Sequence, residues 1–322
     1  MTDFSDVLYE YVSCPLGCRQ EDDLVLTGRD LLTGLPGEFN VVCCKACGLM
    51  RTNPRPTQAT IGYYYPDDYG PYRVSGEATP ERKPSGFFRR LFRSLHHSIV
   101  DYKTVAMPYM APGRMLEVGC ASGTFLRVMS DKGWHVEGIE FSSSAAKAAI
   151  DAGHPVHVGP LEHAPKPSES VDLIVGWMVV EHLHDPVAAL RKMREWIKPG
   201  GWLVISVPNA GSLEFRAFGA NWYALHLPNH LYHFTPATVE KLLRKSGWVV
   251  ERVHHQRVIN NLIASIGYSL RQRRWDRLGN AMVRLAENGG RLSSLMLYPI
   301  ALLLALFGQT GRMTVWARPS RD

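Results

Sequence analysis

From residue 114 onward the chain alternates short apolar runs with longer amphipathic stretches. Each short run is rich in β-branched residues and has the length of a buried strand. Strands separated by helices in this way predict βαβ units and a doubly wound, seven-stranded, mostly parallel α/β sheet. The predicted strands are residues 115–118, 136–139, 156–158, 171–175, 202–207, 248–253 and 313–317.

The amphipathic stretches predict helices, several of which are followed by a glycine that suits a helix C-terminus. The predicted helices are residues 123–132, 143–152, 185–197 and 236–246, and a helical insertion at about 260–307 precedes the last strand. We therefore expect a cysteine-rich leader at residues 1–60, a connection at 61–110, a core at 111–259, and the insertion with the last strand at 260–322.

Composition limits the class of protein. Of the 322 residues, 45% are apolar and 20% are charged, which excludes a disordered chain or a fibre. The net charge of +6 is mild and does not choose between lipid, nucleotide and nucleic-acid partners. Residues 1–10 show no signal-peptide pattern, so we expect a cytoplasmic protein. The longest apolar run, residues 295–307, is shorter than the roughly 20 residues of a membrane-spanning helix.

Five of the six cysteines lie among the first fifty residues. In a reducing compartment this density indicates metal ligands rather than disulfides. The first pair is Cys14 and Cys18, and the second is Cys44 and Cys47. Two such knuckles close a tetrahedral thiolate site, for which structural zinc is the expected occupant. Cys43 remains an alternative to Cys44 in this ligand set.

A glycine-containing turn follows the first predicted strand of the core. Residues 116–123, LEVGCASG, pass from that strand into a helix, where small side chains give a cofactor access to the backbone. Glu140 ends the second strand 21 positions after Gly119, where an acid binds both hydroxyls of an adenosine ribose. Ala121 stands where the dinucleotide fingerprint has a further glycine, and Glu117 would repel a pyrophosphate. The sequence therefore favours S-adenosylmethionine over NAD.

Four segments follow one another within about residues 110–257: LEVGCASGTFL, VEGIEFS, VDLIVGWMVVEHLHDP and IKPGGWLVISVPN. In order and spacing they resemble the motifs of class I S-adenosylmethionine-dependent methyltransferases, whose core is Rossmann-like. The resemblance implies an enzyme of that class, with adenine near Phe141 and Leu161 and the methionine part near Trp177 and Met178. The other cofactor contacts that it implies are Glu117, Gly119, Ala121, Ser122, Gly123 and Glu140.

Residues 44–72, CKACGLMRTNPRPTQATIGYYYPDDYGPY, are similar to the leader of a bacterial methyltransferase group that carries a zinc-binding module. That group includes sugar C-methyltransferases and relatives in glycan and antibiotic pathways. The resemblance implies a small-molecule or saccharide acceptor, for example a nucleotide sugar or a lipid-linked glycan. Three alternatives stay open: a nucleic-acid methyltransferase, an NAD-dependent oxidoreductase, and a non-catalytic scaffold of this fold at a membrane surface.

Histidines are concentrated after the fifth strand, in residues 221–235, NWYALHLPNHLYHFT. Open α/β folds bind ligands at the carboxyl ends of their strands, so one of these histidines is a candidate general base. His230 and His233 match histidines of a loop in the resembling family and are the first candidates. A metal on His226, His230 and His233 is disfavoured because a proline interrupts the helix that would align them.

Two segments combine arginines with apolar side chains: the amphipathic helix predicted at residues 85–97 and residues 271–307 of the insertion. Such surfaces suit an anionic membrane, and they predict peripheral association with its inner face. Nucleic acid is a weaker expectation, because residues 177–182 lack the Asn/Asp-Pro-Pro-aromatic motif of amino-methylating nucleic-acid enzymes.

Overall fold

The computed structural model describes residues 4–66, 107–288 and 291–321. The amphipathic helix predicted at residues 85–97 and most of the predicted connection lie outside these ranges. The described part consists of a small antiparallel leader and an α/β core that share one strand pairing.

The leader is built from short antiparallel strands. They are β1 (Tyr9–Glu10), β2 (Asp22–Gly28), β3 (Phe39–Cys44), β4 (Met50–Thr52) and β5 (Arg55–Pro56). Strands β2, β3 and β4 are adjacent in one sheet, and β1 pairs with β5. Alternation along β3 buries Phe39 and Val41, so one face of this sheet is apolar.

The core contains seven strands in one sheet. They are β6 (Arg114–Val118), β7 (His135–Glu140), β8 (Val156–Val158), β9 (Val171–Trp177), β10 (Ile197–Pro208), β12 (Trp248–His255) and β13 (Arg312–Pro319). Their order is β12-β13-β10-β9-β6-β7-β8, and all are parallel except β13. This confirms the predicted doubly wound sheet. The fifth strand is longer than predicted, because Ile197 already pairs with Val171 before a register shift.

Helices cover both faces of this sheet. They are α1 (Thr124–Ser130), α2 (Ser143–Asp151), α3 (Pro186–Trp196), α4 (Leu213–Phe218) and α5 (Pro236–Lys245). Side chains that alternate along β9 enter different apolar clusters: Ile174 belongs to one, and Leu173 and Val175 belong to the other. Strands buried on both faces explain the nearly continuous apolar runs in the sequence.

The helical insertion lies between β12 and β13, as predicted. It comprises α6 (Asn260–Gln272), α7 (Asp276–Asn288) and α8 (Arg291–Leu306). Helices α6 and α7 approach closely where two glycines meet. A Cβ on Gly267 would lie 2.8 Å from the carbonyl oxygen of Gly279, so larger residues there would force the helices apart.

Among the described residues, no helix is both long and apolar enough to cross a membrane. The end of α8 exposes several apolar side chains, including Leu306 and Phe307, which are each 72% exposed. Peripheral membrane association remains a prediction.

One short strand of the core completes the leader sheet. β11 (Tyr232–His233), from the histidine-rich segment, pairs antiparallel with β4. Thr52 extends this contact, because its N–H donates to Leu231 O (3.0 Å) and its Oγ1 donates to His230 O (2.8 Å). The leader therefore holds the backbone of a candidate catalytic residue.

Replacing Thr52 with valine should lower the free energy of unfolding by about 1 to 3 kcal/mol, because it removes a buried hydrogen bond while keeping the shape of the side chain. The measurement is urea denaturation. A matched control is Thr27→Val, whose exposed hydroxyl contacts Asn40, and it should change stability by less than about 0.5 kcal/mol. Equal changes in the free energy of unfolding in the two variants would contradict a stabilising role for the buried Thr52 hydrogen bond.

Candidate functional site

The glycine loop between β6 and α1 has three residues in the left-handed region. Gly119 has φ 71°, Ala121 has φ 45° and Gly123 has φ 72°. A Cβ on Gly119 would lie 2.6 Å from Val179 Cγ2, so glycine is required there by close packing against the segment after β9. The loop includes Ser122, whose Oγ lies 3.1 Å from Thr124 Oγ1.

Glu140 ends β7 and fixes this loop. Its Oε2 accepts a hydrogen bond from Ala121 N–H and its Oε1 accepts one from Ser142 N–H, each at 2.9 Å. Glu140 is buried, and burial raises its pKa, while the two backbone donors act in the opposite direction. Glu140 thus lies at the carboxyl end of β7 beside the glycine loop, and its contact with a ribose stays a prediction.

The carboxyl ends of β6, β7 and β9 are neighbours, which brings the other predicted cofactor residues to this edge. Glu117 is buried within β6, and Leu161 is buried in a short 3-10 helix, Leu161–His163. Phe141 is 55% exposed directly after Glu140, where an aromatic ring can cover a base.

Trp177 and Met178 close the same edge from the end of β9. The indole of Trp177 packs edge-on against Phe125, with ring centroids 5.3 Å apart, and its buried Nε1 has no hydrogen-bond partner among the described residues. Met178 has φ 58°, and its N–H donates to Ser206 O at 2.8 Å. An orphan indole N–H beside the glycine loop fits a polar ligand in this crevice.

This donor set fits a nucleoside cofactor without phosphate. It offers Glu140 for ribose hydroxyls, an exposed ring for a base, and the Trp177 N–H. The residues predicted for S-adenosylmethionine are therefore brought together, and nothing in their arrangement forms the second glycine turn of a pyrophosphate site.

A buried cluster of histidines and one carboxylate lies next to this crevice. Glu181 and His182 belong to a short 3-10 helix after β9, Val180–His182, and His226 and His230 come from the histidine-rich segment. His230 Nε2 lies 4.0 Å from Glu181 Oε1. The ring centroid of His230 is 4.6 Å from that of His182 and 4.8 Å from that of His226.

Backbone carbonyls fix the tautomers of two of these rings. His230 Nδ1 lies 2.9 Å from Ala224 O, and His182 Nδ1 lies 2.9 Å from Asn229 O. Because a carbonyl oxygen only accepts, we assign the proton to both Nδ1 atoms, and both Nε2 atoms then keep their lone pairs. Tyr65 Oη also lies 2.9 Å from His182 Nδ1 and shares this proton.

Burial sets the charge of this cluster. It raises the pKa of Glu181 to about 8 and lowers the pKa of His182 to about 4 and that of His226 to about 3. The pKa of His230 is also well below its usual value, because of burial and the neighbouring histidines. At neutral pH the histidines are therefore uncharged, and the carboxyl group of Glu181 is largely protonated.

Further polar groups with unmet hydrogen-bonding capacity surround the cluster. Gln256 donates to Ser206 Oγ at 2.7 Å, and Arg312 donates to Asn261 Oδ1 at 3.0 Å. In and around this cluster, buried atoms without a partner within the described ranges include both carboxylate oxygens of Glu181, His226 Nε2, Gln256 Oε1, Asn261 Nδ2 and Arg312 Nε. So many orphaned groups indicate a polar ligand.

The two predicted base candidates have different surroundings. His230 lies in the cluster, whereas His233 lies in β11 with its Nε2 3.2 Å from Thr52 Oγ1 of the leader. Sequence reasoning missed Gln256 and Arg312. Arg312 pairs with Pro208 at the carboxyl end of β10 only because β13 runs antiparallel, a placement that no local motif signals.

The four predicted cysteine ligands converge at the base of the leader. The sulfur atoms of Cys14, Cys18, Cys44 and Cys47 all lie within 4.8 Å of one another. Cys43 is not in this group, and its Sγ points to Cys44 O. Gly17 and Gly48, both with φ 79°, make the two tight turns. Thiolates bound to zinc at 2.3 Å in a tetrahedron lie about 3.8 Å apart, so the donor set suits zinc.

Ala121→Gly should raise the free energy of unfolding by about 1 kcal/mol, because glycine adopts a positive φ without the Cβ penalty. The matched variant Gly123→Ala should lower it by at least about 1 kcal/mol, since its Cβ would also lie 2.6 Å from Ala149 Cβ. Thermal and urea unfolding measure both. A destabilising Ala121→Gly would contradict the left-handed geometry.

Comparison with known proteins identifies a methyltransferase domain in this chain. A family described as a methyltransferase domain matches residues 89–253. The chain is 28% identical to a ubiquinone biosynthesis O-methyltransferase of Nitrosospira multiformis, over 43% of this chain and 64% of that protein. It is also 28% identical to a malonyl-[acyl-carrier protein] O-methyltransferase of Serratia marcescens, over 43% of this chain and 55% of that protein. The chain thus spans less than two thirds of either relative.

Among solved structures, an S-adenosylmethionine-dependent methyltransferase from Mesorhizobium loti aligns with a TM-score of 0.45 and 18% identity, over 67% of this chain and 95% of that chain. The family match extends over just over half of the 322 residues and includes the glycine loop, Glu140 and the strands that carry them. The chain therefore belongs to the methyltransferase-domain family.

Proposed function

We propose that this protein transfers a methyl group from S-adenosylmethionine to a hydroxyl group of a small, polar acceptor such as a saccharide. One observation carries the proposal: a nucleoside-type crevice and a buried cluster of unpartnered polar groups share the same edge of the sheet. The first suits the methyl donor and the second suits a hydroxylated acceptor.

The glycine loop and Glu140 hold the donor. Glu140 accepts hydrogen bonds from the ribose hydroxyls, Phe141 and Leu161 flank the adenine, and the small residues of the loop, from Gly119 to Gly123, admit the remainder. Trp177 and Met178 lie at the methionine end. When bound, S-adenosylmethionine supplies a methyl group on a positively charged sulfur.

The buried cluster of histidines and Glu181, here called the acceptor cluster, orients the acceptor and provides a base. Methyl transfer needs an acceptor atom held in line with the methyl carbon, together with removal of the hydroxyl proton. His226 and His230 are neutral, and His226 Nε2 has no partner in the described part of the chain. It can accept a hydrogen bond from the acceptor hydroxyl and take its proton once attack on the methyl carbon has made that hydroxyl strongly acidic. Glu181, Gln256 and Arg312 offer hydrogen bonds to further oxygens of the acceptor.

The alternatives have weaker support. Both relatives described above are named as O-methyltransferases, which favours transfer to oxygen. An NAD enzyme would need a pyrophosphate turn in place of Ala121. A non-catalytic scaffold does not explain why buried polar groups without hydrogen-bond partners lie beside the crevice.

We further propose that Cys14, Cys18, Cys44 and Cys47 bind one structural zinc ion. The four sulfurs complete its coordination, so the ion has no open position for chemistry. Its role is to tie the two knuckles together in a leader too small to rely on an apolar core alone.

The test of methyl-donor binding is calorimetric titration with S-adenosylmethionine, S-adenosylhomocysteine and NAD. We expect the two sulfur compounds to bind and NAD not to bind. Glu140→Gln should weaken binding by about 1 to 3 kcal/mol, because a charged acceptor of the ribose hydroxyls is lost. Glu137→Gln on the same strand, where the carboxylate pairs with Arg114, is the matched control.

Preferential binding of NAD, or equal affinities in both variants, would overturn the proposal for the donor. With donor binding established, formation of S-adenosylhomocysteine is measured with nucleotide sugars as acceptors. Turnover on nucleic acid but on no small acceptor would contradict the proposed acceptor class.

Metal analysis of the purified protein should give about one zinc per chain in the leader. The Cys44→Ser, Cys47→Ser double variant should lose it and unfold more easily, because two of the four ligands are gone. Cys43→Ser is the matched control and should retain the metal, since this thiol lies outside the group. A stable wild-type protein without zinc would contradict the assignment.

A further inference from the structure

Three donor side chains meet beside the crevice, apart from the cysteine site. One ligand atom each of Glu181, His182 and His230 lies within 4.8 Å of the others. They come from two chain segments, the turn after β9 and the histidine-rich segment before β11. Glu181 and His230 are buried, whereas His182 is partly exposed.

The two histidines are oriented as metal ligands are. A metal-bound imidazole almost always donates its other N–H to a backbone carbonyl or a carboxylate, which fixes the ring and the tautomer. Ala224 O and Asn229 O do this for His230 and His182. Each Nε2 lone pair is thus available to an ion.

Glu181 adds a buried carboxyl group, which a bound cation would hold in its anionic form. Its side chain is fully buried, and neither carboxylate oxygen has a hydrogen-bond partner in the described part of the chain. A buried carboxylate without a partner is costly, and coordination to a cation removes that cost.

We infer that Glu181, His182 and His230 bind a divalent first-row transition ion that positions the acceptor. Two imidazoles and one carboxylate suit such ions, and three protein ligands leave coordination positions open for an oxygen of the acceptor. The ion lowers the pKa of a hydroxyl bound there, and the released proton passes to water as the oxygen attacks the methyl carbon. This inference rests on the proposed function, and it assigns a metal ion to the part of the site that binds the acceptor.

The test uses the full chain with its leader zinc in place and Mn²⁺ as the probe, because manganese prefers nitrogen and oxygen ligands to thiolates. Electron paramagnetic resonance of free Mn²⁺ should show about one bound ion per chain. Glu181→Gln and His230→Gln should each weaken binding by more than about 10-fold, because each removes one of three direct ligands and even the loss of a residue that only orients a ligand costs about 10-fold.

His184→Gln is the matched control. This histidine follows His182 by two positions and contacts Pro56 O of the leader at 3.2 Å, outside the cluster, so its substitution should leave Mn²⁺ affinity unchanged. The affinity for S-adenosylhomocysteine, measured on every sample, shows that each variant is folded.

A wild-type protein that binds S-adenosylhomocysteine but has a Kd for Mn²⁺ above about 1 mM overturns the metal site and leaves the proposed function intact. Undiminished Mn²⁺ binding in the folded Glu181 and His230 variants overturns it as well. If the wild type binds Mn²⁺ but no sulfur compound, the proposed function fails instead.

Discussion

Backbone pairing between β4 of the leader and β11 of the core determines where the buried histidines lie. Residues directly before β11 are held at several points: Thr52 Oγ1 donates to His230 O, the side-chain amide of Asn229 donates to Tyr64 O at 2.8 Å, and Leu231 N–H donates to Glu181 O at 2.8 Å. A loop with so many backbone anchors loses little further entropy when a ligand binds. The leader is thus a cysteine-rich unit that also packs against the candidate acceptor site.

The antiparallel last strand has an equally direct effect on the site. Because β13 returns between β10 and β12, Arg312 stands at the carboxyl end of the sheet, and the insertion that precedes β13 lies at the same edge. Asn261 of α6 holds Arg312, and Ser265 accepts a hydrogen bond from Tyr223 N–H. The candidate cofactor residues therefore lie on the early strands, whereas the insertion and the leader flank the histidine cluster.

Sequence reasoning succeeded where the signal was local. Strand and helix periodicity, the turn at Gly119, the acid at Glu140 and the cysteine spacing each depend on a few neighbouring residues, and the fold confirmed the sheet. The pairing of β4 with β11 could not be predicted, because each strand has only two or three residues and about 180 positions separate them. The different surroundings of His230 and His233 depend on that pairing, and the role of Arg312 depends on strand order.

The acceptor cluster opposes folding in the absence of a ligand. Each buried polar atom without a partner costs about 1 to 3 kcal/mol, and this cluster contains several of them. Hydrogen bonds within the core sheet do not offset this free-energy cost, because the cluster lies beyond the ends of the core strands. Pairing with the leader supplies backbone hydrogen bonds and apolar contacts to the very segment that carries His226 and His230. It follows that the leader stabilises an arrangement whose remaining free-energy cost the proposed polar acceptor or ion would offset by contacting Glu181 and its neighbours.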